Sequence, residues 1–380
     1  MDYRRRWQQM RMRRSRLRAL LAGAALLVVA GGFAVAYLTG RQEALWTYVP
    51  PESGPVRFSL SADARTLVAV WESGRLQALD TATGQSLPLS FVNPFPLLSP
   101  PLVLADRVIF GADDGTVRCL ELSGGRQLWA FRAWGAVRTA PQLTPDRVVV
   151  VGSDDGRVYG LQPDTGAWLW SVDCGGRVGS DPAPVGPGRL VVGTVDDGIV
   201  GVQYGRQPAA PGGTPGWWAA VAWRQRTTTP VLGPVEADPV AGWALAGTDG
   251  GHAYLLQADT GRLLSEVEFP GLLRSRPVMS ADRVLVGDSS GLVVAWRPGG
   301  EFRWQRRVGS LTAGLAATDS VVYLGTARGR LLALRLADGR RLWRTRLPAP
   351  ASGGLEVTPD LVVVGLADGR LVAYRRPPQG

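Results

Sequence analysis

The sequence predicts an all-β fold, an eight-bladed β-propeller that follows one N-terminal transmembrane helix. Three observations support this prediction. A unit of about forty residues recurs along the chain, and each unit holds four strand-like runs. The segment QEALWTYV (42–49), which precedes the first unit, resembles the ends of later units. A stretch without charged residues, 19–38, precedes both of these features.

The N-terminus combines a basic arm with an apolar segment. Residues 1–18 hold eight Arg and one Asp, whereas residues 19–38, ALLAGAALLVVAGGFAVAYL, hold no charge. A helix of that length spans about 30 Å of hydrocarbon, and the arginines favour a cytoplasmic N-terminus. We expect a single-pass anchor in the inner membrane, with residues 41–380 in the periplasm or another extracytoplasmic space. The alternative is a cleaved signal peptide, for which Ala34-Val35-Ala36 is a suitable cleavage site.

The repeating unit is clearest in RVVVVGSDDGRVYGLQPDTGAWLWSV (147–172). A β-rich run, a tight turn ending in Gly, a second β-rich run, a second turn with Gly and a strand with Trp follow one another. A further segment, such as RTAPQLT (138–144), precedes them. Four antiparallel strands at this period are typical of a propeller blade. The glycine that closes the first turn occurs eight times, at Gly74, Gly115, Gly156, Gly198, Gly251, Gly291, Gly329 and Gly369.

The count of outer strands predicts how the ring closes. Five units mark the outer strand with Trp, at Trp129, Trp170, Trp223, Trp304 and Trp343, and two more have Pro88 and Ser265 there. The eighth unit ends after its third strand, LVAYRR (371–376), and residues 42–49 with Trp46 supply the missing strand. The propeller therefore spans residues 42–376 and leaves no open sheet at the seam. Because the chain enters from the membrane, the face carrying the second turns should lie toward it.

Charge and composition limit the function classes. The chain has 380 residues and a net charge of +10, but residues 1–18 carry +7 of it. A nearly neutral globular part does not predict a nucleic-acid surface. A single histidine, His252, which we expect to be an exposed polar residue, argues against His-based catalysis. Cys119 and Cys174 are predicted to be buried thiols, with a disulfide as the alternative.

The units resemble the quinoprotein-type propeller repeat, which combines a turn Gly, Asp-x-x-Thr-Gly and Leu-Trp. The segments that carry the resemblance are DDGRVYGLQPDTGAWLW (154–170), GHAYLLQADTGRLL (251–264) and GRLLALRLADGRRLW (329–343). One family with this repeat, the quinoprotein alcohol dehydrogenases, uses calcium, a catalytic Asp and adjacent Cys residues, but Cys119 and Cys174 are far apart. The chain is more similar to the BamB-type propellers of outer-membrane assembly, which are non-enzymatic scaffolds. That family is anchored by an acylated Cys, which this chain lacks.

Two recurring residue types have structural interpretations. The pairs Asp113-Asp114, Asp154-Asp155 and Asp196-Asp197, with Asp249, suggest calcium ligands, but each belongs to a different unit and fits a tight turn. We therefore predict no metal site. The outer-strand Trp residues are predicted to pack between neighbouring blades rather than to stack on a ligand.

Two sets of residues are candidates for partner binding. Arginines are predicted at the starts of inner strands, around the channel mouth on the face away from the membrane, where they would accept acidic groups. They are Arg57, Arg138, Arg226, Arg274 and Arg276. The insertion YGRQPAAPGGTPGWW (204–218) is predicted not to form a strand. Its Trp217 and Trp218 either anchor a partner or fold back on the propeller.

The sequence thus predicts a non-enzymatic envelope scaffold, with no catalytic residue and no cofactor. Its expected partners are envelope or outer-membrane proteins, and its expected role is in outer-membrane protein assembly. The alternatives are a quinone-dependent or other ligand-binding enzyme of the same fold, and a sensor with a ligand in the channel.

Overall fold

The computed structural model of the protein describes residues 43–196, 198–207, 216–280, 283–310 and 312–376. These residues form eight four-stranded antiparallel sheets. The predicted blade count is therefore confirmed. The described residues include no helix with the length and hydrophobicity that crossing a membrane requires. The basic arm 1–18 and the predicted anchor 19–38 lie outside the described residues.

Each sheet has an inner, a second, a third and an outer strand. The inner strands are β2 (Val56–Leu60), β6 (Leu102–Val103), β10 (Gln142–Leu143), β14 (Ala183–Gly186), β18 (Glu236–Asp238), β22 (Val278–Ser280), β26 (Thr312–Ala317) and β30 (Ala351–Val357). The second strands are β3 (Thr66–Trp71), β7 (Arg107–Gly111), β11 (Val149–Gly152), β15 (Arg189–Gly193), β19 (Trp243–Gly247), β23 (Arg283–Gly287), β27 (Val321–Thr326) and β31 (Leu361–Leu366).

The other two strands complete each blade. The third strands are β4 (Arg75–Asp80), β8 (Thr116–Glu121), β12 (Arg157–Leu161), β16 (Ile199–Arg206), β20 (His252–Gln257), β24 (Leu292–Trp296), β28 (Arg330–Arg335) and β32 (Leu371–Arg375). The outer strands are β5 (Ser86–Val92), β9 (Gln127–Arg132), β13 (Trp168–Asp173), β17 (Trp217–Gln225), β21 (Leu263–Glu268), β25 (Phe302–Arg307), β29 (Arg341–Arg346) and β1 (Trp46–Tyr48).

The ring is closed by both parts of the chain, as predicted. Strand β1 pairs with β32, with Trp46 opposite Ala373 and Tyr48 opposite Leu371. Inner strands of neighbouring blades contact one another from β10 through β14, β18, β22, β26 and β30 to β2 and β6. The eighth blade thus packs against the first. This closure protects the seam, since no unpaired sheet edge is left between the two ends of the propeller.

The core lies between the blades. The second strand of every blade is buried on both faces; β11 and β31, for example, are buried at every position. This explains their continuous apolar sequences, because each sheet has a neighbour on either side. Successive residues of one strand pack against the two neighbouring blades in turn. Val293 of β24 packs toward the seventh blade, whereas Val294 packs toward the fifth.

The predicted first-turn glycines all adopt positive φ, a backbone conformation that favours glycine. Gly74 has φ +90°, and a Cβ there would lie 2.1 Å from the carbonyl oxygen of Asn93. The two turns of each blade lie on opposite faces of the ring. We call them the first-turn face, which also carries the connections from outer to inner strands, and the second-turn face.

Indole groups of the outer strands join neighbouring blades, as predicted. Four of them donate Nε1–H to a carbonyl in the second turn of the next blade and cover that turn's glycine. These are Trp46 to Thr81 (3.0 Å, over Gly84), Trp129 to Pro163 (2.9 Å, over Gly166), Trp223 to Ala258 (3.1 Å, over Gly261) and Trp304 to Leu336 (2.9 Å, over Gly339). Trp170 instead stacks on Tyr204 of the next blade, with ring centroids 4.6 Å apart.

The insertion in the fourth blade differs from the prediction. Its flanks extend the β16–β17 hairpin, with Arg206 opposite Trp217 and Gly205 opposite Trp218. The expectation that this segment forms no strand is therefore wrong at both ends. The reason is that WWAAVAW (217–223) alternates in exposure along β17, and alternation of this kind supports a strand despite the nearby Gly and Pro residues. Residues 208–215 lie outside the described residues.

Candidate partner-binding surfaces

The predicted arginines fall into two groups. Arg138, Arg226 and Arg274 lie on the first-turn face, whereas Arg57 and Arg276 point into the channel. Arg226 directly follows the outer strand β17, and the inner strand of its blade begins only at Glu236. Its predicted place at the start of an inner strand is therefore wrong, because it is the first residue of the connection 226–235 between the two strands.

The two other arginines of the first-turn face are held by turn aspartates. Arg138 donates from Nε to Asp113 Oδ1 and from Nη1 to Asp154 Oδ2, both at 2.6 Å, and so links the first turns of two blades. Arg274 forms a bidentate pair with Asp249, at 3.0 and 2.7 Å. The hydrogen bond to Asp113 raises the pKa of Arg138. The turn aspartates are thus engaged in ion pairs, and these pairs neutralise Arg138 and Arg274, two members of the expected basic ring.

The channel carries a mixed set of charges. Arg57, Asp181 and Arg276 occupy one level, since each lies two residues before an inner-strand residue that pairs near the middle of the second strand: Ser59 with Val68, Ala183 with Val191 and Val278 with Leu285. Glu236 and Glu356 lie two residues further along. They share this second level because their ladder partners, Leu245 and Val363, occupy equivalent positions in the second strands of their blades. The cavity here is about 320 Å³, and all of these side chains except Arg57 line it.

Electrostatic interactions in the channel cross between blades. Arg276 donates from Nε to Glu236, and its side chain, although surrounded by channel walls, remains 59% exposed. Burial raises the pKa of Asp181, which accepts the Ala140 N–H at 2.6 Å, and burial also raises the pKa of Glu356. Burial lowers the pKa of Arg57. Arg57 Nη1 is buried and has no hydrogen-bond partner among the described residues.

The described residues contain no group of three or more His, Cys, Asp or Glu arranged to hold a metal ion. Cys119 and Cys174 are both buried and are not joined by a disulfide, so the prediction of buried thiols is confirmed. Burial raises the pKa of Cys119 to about 12, which keeps this thiol protonated at neutral pH. His252 is partly exposed, and its Nδ1 lies 2.9 Å from Glu266 Oε1.

The two tryptophans of the insertion have different environments. Trp217 packs against Tyr204, with centroids 6.4 Å apart, and the Arg206 guanidinium lies 4.9 Å above its ring. This residue therefore folds back on the propeller, which was one of the two predicted alternatives. Trp218 is 37% exposed and is the one of the pair that is available to a partner.

Three exposed apolar side chains on the first-turn face were not predicted. Trp134 is 83% exposed, Val92 57% and Phe95 45%. Val92 is the last residue of the outer strand β5, Phe95 follows it, and Trp134 follows the outer strand β9. The backbone N–H of Trp134 donates to Asp155 Oδ2 at 3.1 Å, and the Arg157 guanidinium lies 5.2 Å from its ring. The signal for Trp134 was present in the sequence, because it is a Trp outside the repeating outer-strand position. We call Val92, Phe95 and Trp134 the apolar patch.

Comparisons with known proteins agree with this architecture. The family model described as "Outer membrane protein assembly factor BamB" matches residues 72–204, 113–264 and 289–376. No curated protein matches the chain. Among solved structures, the computationally designed Ika8 protein has a TM-score of 0.72 at 18% identity, and BamB from Moraxella catarrhalis has 0.68 at 17%. Each comparison covers 88% of this chain and 100% of the other.

Identities this low show the fold alone, whereas the matches to the family model extend over most of the propeller. The matched repeats carry the structural features described above: the turn glycines, the interblade indoles and the closed ring. The chain therefore belongs to the BamB family of β-propellers with quinoprotein-like repeats.

Proposed function

We propose that this protein is a non-enzymatic scaffold of the cell envelope, with a role similar to that of BamB in outer-membrane protein assembly. Residues 19–38 hold it in the inner membrane, with the propeller on the extracytoplasmic side, and the first-turn face contacts its partners. Family membership and the exposed apolar patch support this proposal.

The observation that carries the proposal is the exposure of Trp134. An indole that is 83% exposed gains little stability from burial, yet the Arg157 guanidinium lies over its ring and Asp155 Oδ2 accepts the backbone N–H of the same residue. A tryptophan fixed before binding loses little conformational entropy when a partner covers it. Arg138 and Arg274, with their aspartates, surround the channel mouth and supply the polar contacts expected at the rim of an interface.

Photocrosslinking in living cells tests this function. A crosslinking residue is placed at Trp134 and, in separate strains, at Arg274 and Trp218, and adducts are identified by mass spectrometry. Ser123, an exposed residue in a second turn, is the matched control position. We expect adducts with assembly components or unfolded outer-membrane proteins at Trp134 but not at Ser123. Equal labelling at the two positions, or no protein adduct at Trp134, contradicts the proposal.

A second candidate function is a ligand-binding enzyme or sensor that uses the channel. The buried Nη1 of Arg57, which has no partner among the described residues, favours it, because a small ligand with a carboxylate would satisfy that donor. Equilibrium dialysis with pyrroloquinoline quinone, with and without calcium, tests this candidate. Binding that is lost in Arg57→Ala would favour it over the scaffold.

A further inference from the structure

The positive charge of the propeller is concentrated in two adjacent blades. From Arg283 to Arg346, which covers three strands of the sixth blade and all of the seventh, there are twelve Arg and four acidic residues, a net charge of +8. The rest of residues 43–380 holds 21 Arg and 27 acidic residues, a net charge of −6. The near-neutral total of the globular part therefore hides two regions of opposite charge.

Five of these arginines lie along one groove on the outer rim. In an antiparallel ladder, residues directly opposite each other project to the same face of the sheet. Arg306 lies opposite Val293, which packs toward the seventh blade, so Arg306 faces that blade and donates from Nε to Gly339 O at 2.9 Å.

The seventh blade supplies the other four arginines. Arg344 lies opposite Leu332 and Arg341 opposite Leu334, and both leucines pack toward the sixth blade. Arg346 lies opposite Arg330 on the same face. We call Arg306, Arg330, Arg341, Arg344 and Arg346 the arginine strip.

The strip is exposed and has no neutralising carboxylate. All five side chains belong to exposed residues, and among the described residues none of them has an acidic group within ion-pair distance. The neighbouring acids Glu301 and Asp338 already pair with Arg297, Arg303 and Arg335. Five like charges side by side repel one another, so such a strip is expected where an anionic partner covers it.

The position of the strip indicates which anion this is. Strand β1, where the described chain begins, is the outer strand of the eighth blade, next to the seventh. Only residues 39–42 separate the apolar segment 19–38 from Glu43, and they reach at most about 19 Å. A membrane entered by that segment therefore lies beside this part of the rim, within a few Debye lengths of about 8–10 Å.

Apolar side chains accompany the arginines along this rim. Phe302, Leu342 and Leu45 stand at the starts of the outer strands of the sixth, seventh and eighth blades, and they are 57%, 44% and 47% exposed. Basic residues with exposed apolar neighbours are typical of protein surfaces that lie on anionic lipid headgroups. A nucleic acid or an acidic peptide would need the charge but not this apolar row.

We propose that the rim of the sixth and seventh blades, through the arginine strip, docks on anionic phospholipid headgroups of the membrane in which residues 19–38 are anchored. The contact fixes the propeller edge-on, so that the apolar patch of the first two blades points away from the lipid surface. This inference rests on the proposed anchoring, and it replaces the expected orientation, in which the second-turn face lies toward the membrane, by an edge-on one.

Energy transfer in nanodiscs tests the docking with the full chain. One fluorophore is attached at Gln305→Cys, on the sixth blade, or at Gln127→Cys, on the opposite second blade. Both positions are exposed, and the native thiols are buried. The acceptor is a headgroup-labelled lipid, in phosphatidylcholine alone or with phosphatidylglycerol. We expect transfer from position 305 to exceed that from 127, to rise with phosphatidylglycerol and to fall with salt.

Charge reversal distinguishes docking through the arginine strip from a general attraction of the protein to anionic lipid. Arg344→Glu with Arg346→Glu should reduce the docked population roughly tenfold or more, since each basic group near an anionic surface contributes about fivefold. The matched control, Arg126→Glu with Arg132→Glu on the second blade, should leave it unchanged. Equal transfer from both positions, no response to phosphatidylglycerol, or an unchanged strip variant overturns the proposal. Strip-dependent binding of single-stranded RNA or polyglutamate, without lipid docking, also overturns it.

The same samples keep the two proposals distinguishable. Failure of the full chain to co-elute with nanodiscs overturns both the anchoring and the docking. Co-elution without preferential transfer overturns the docking alone. Adducts at Trp134 report on the scaffold function in either case.

Discussion

At the scale of single residues, stability depends on the contact between an outer-strand indole and the glycine of the next blade. Gly166 has φ +68°, and a Cβ there would lie 2.4 Å from Trp129. We expect Gly166→Ala to lower the free energy of unfolding by about 1–3 kcal/mol more than a matched change without the indole, because it overpacks the contact. Gly300→Ala is that control: its φ is +87°, and its nearest neighbour is Ser265 Cβ at 3.9 Å.

Urea denaturation followed by circular dichroism measures this difference. Both variants place Ala in a left-handed conformation and share that cost. Equal midpoints for the two variants would show that the indole contact does not constrain the turn.

A second prediction at this scale concerns Trp170. It is 2% exposed and stacks on Tyr204 of the next blade. Trp170→Ala should cost about 3–5 kcal/mol of unfolding free energy through the cavity it creates. Trp168, on the same strand, is 59% exposed, and Trp168→Ala should change the stability by less than about 0.5 kcal/mol. Thermal melts of the two variants provide the measurement, and similar melting temperatures would contradict the packing role of Trp170.

At the scale of elements, β1 joins two distant parts of the chain into one sheet. A chain that starts at Pro50 would leave the edge of β32 unpaired and the indole site over Gly84 empty. We expect such a chain to melt at a lower temperature than residues 43–380 and to self-associate through the open edge. Light scattering after size-exclusion chromatography tests this prediction, with removal of residues 377–380 as the control. A monomer of undiminished stability would mean that β1 is dispensable.

The elements were predictable to different extents. The eight blades could be predicted because a tight turn needs glycine at positive φ, and this requirement leaves a periodic signal in the sequence. The extension of β16 and β17 was missed, because Gly and Pro in residues 208–215 obscured the alternation of WWAAVAW. Arg226 was misplaced for a related reason, since the extended β17 ends only at Gln225 and residues 226–235 then form the connection to the inner strand.

At the scale of the whole molecule, the channel combines charges from five blades. Asp181 on the fourth blade interacts with Arg57 of the first and Arg276 of the sixth. No sequence pattern reveals such contacts, because the residues meet only when the ring closes. The arginine strip was missed as well, because the net charge of the whole globular part concealed a local excess of arginine in the sixth and seventh blades. The repeat allows the face on which a residue lies to be inferred, but not which residues of other blades it contacts across the ring.

The channel gives a prediction for pH dependence. Burial raises the pKa of Asp181 in the folded state above its unfolded value of about 3.9. Its contribution to stability is therefore fully present below that unfolded value and is lost as the pH rises through the folded pKa. We expect Asp181→Asn, which keeps an acceptor for the Ala140 N–H, to be more stable than the unaltered protein at pH 7.

Melting temperatures of the two proteins between pH 4 and pH 8 check this sign. The advantage of Asp181→Asn should shrink on acidification, as the unaltered carboxyl takes up its proton. An advantage that grows toward low pH would show that the pairing with Arg276 outweighs burial.

The pairing of β1 with β32 also orders events during biosynthesis. Strand β1 emerges before every other described strand, and its partner emerges after all of them. Seven blades can form while β1 is still without its partner, but the eighth cannot form until β32 has been synthesised. A chain that stops before β32 thus keeps β1 without its ladder partner. Completion of the ring therefore reports that synthesis has passed the last strand.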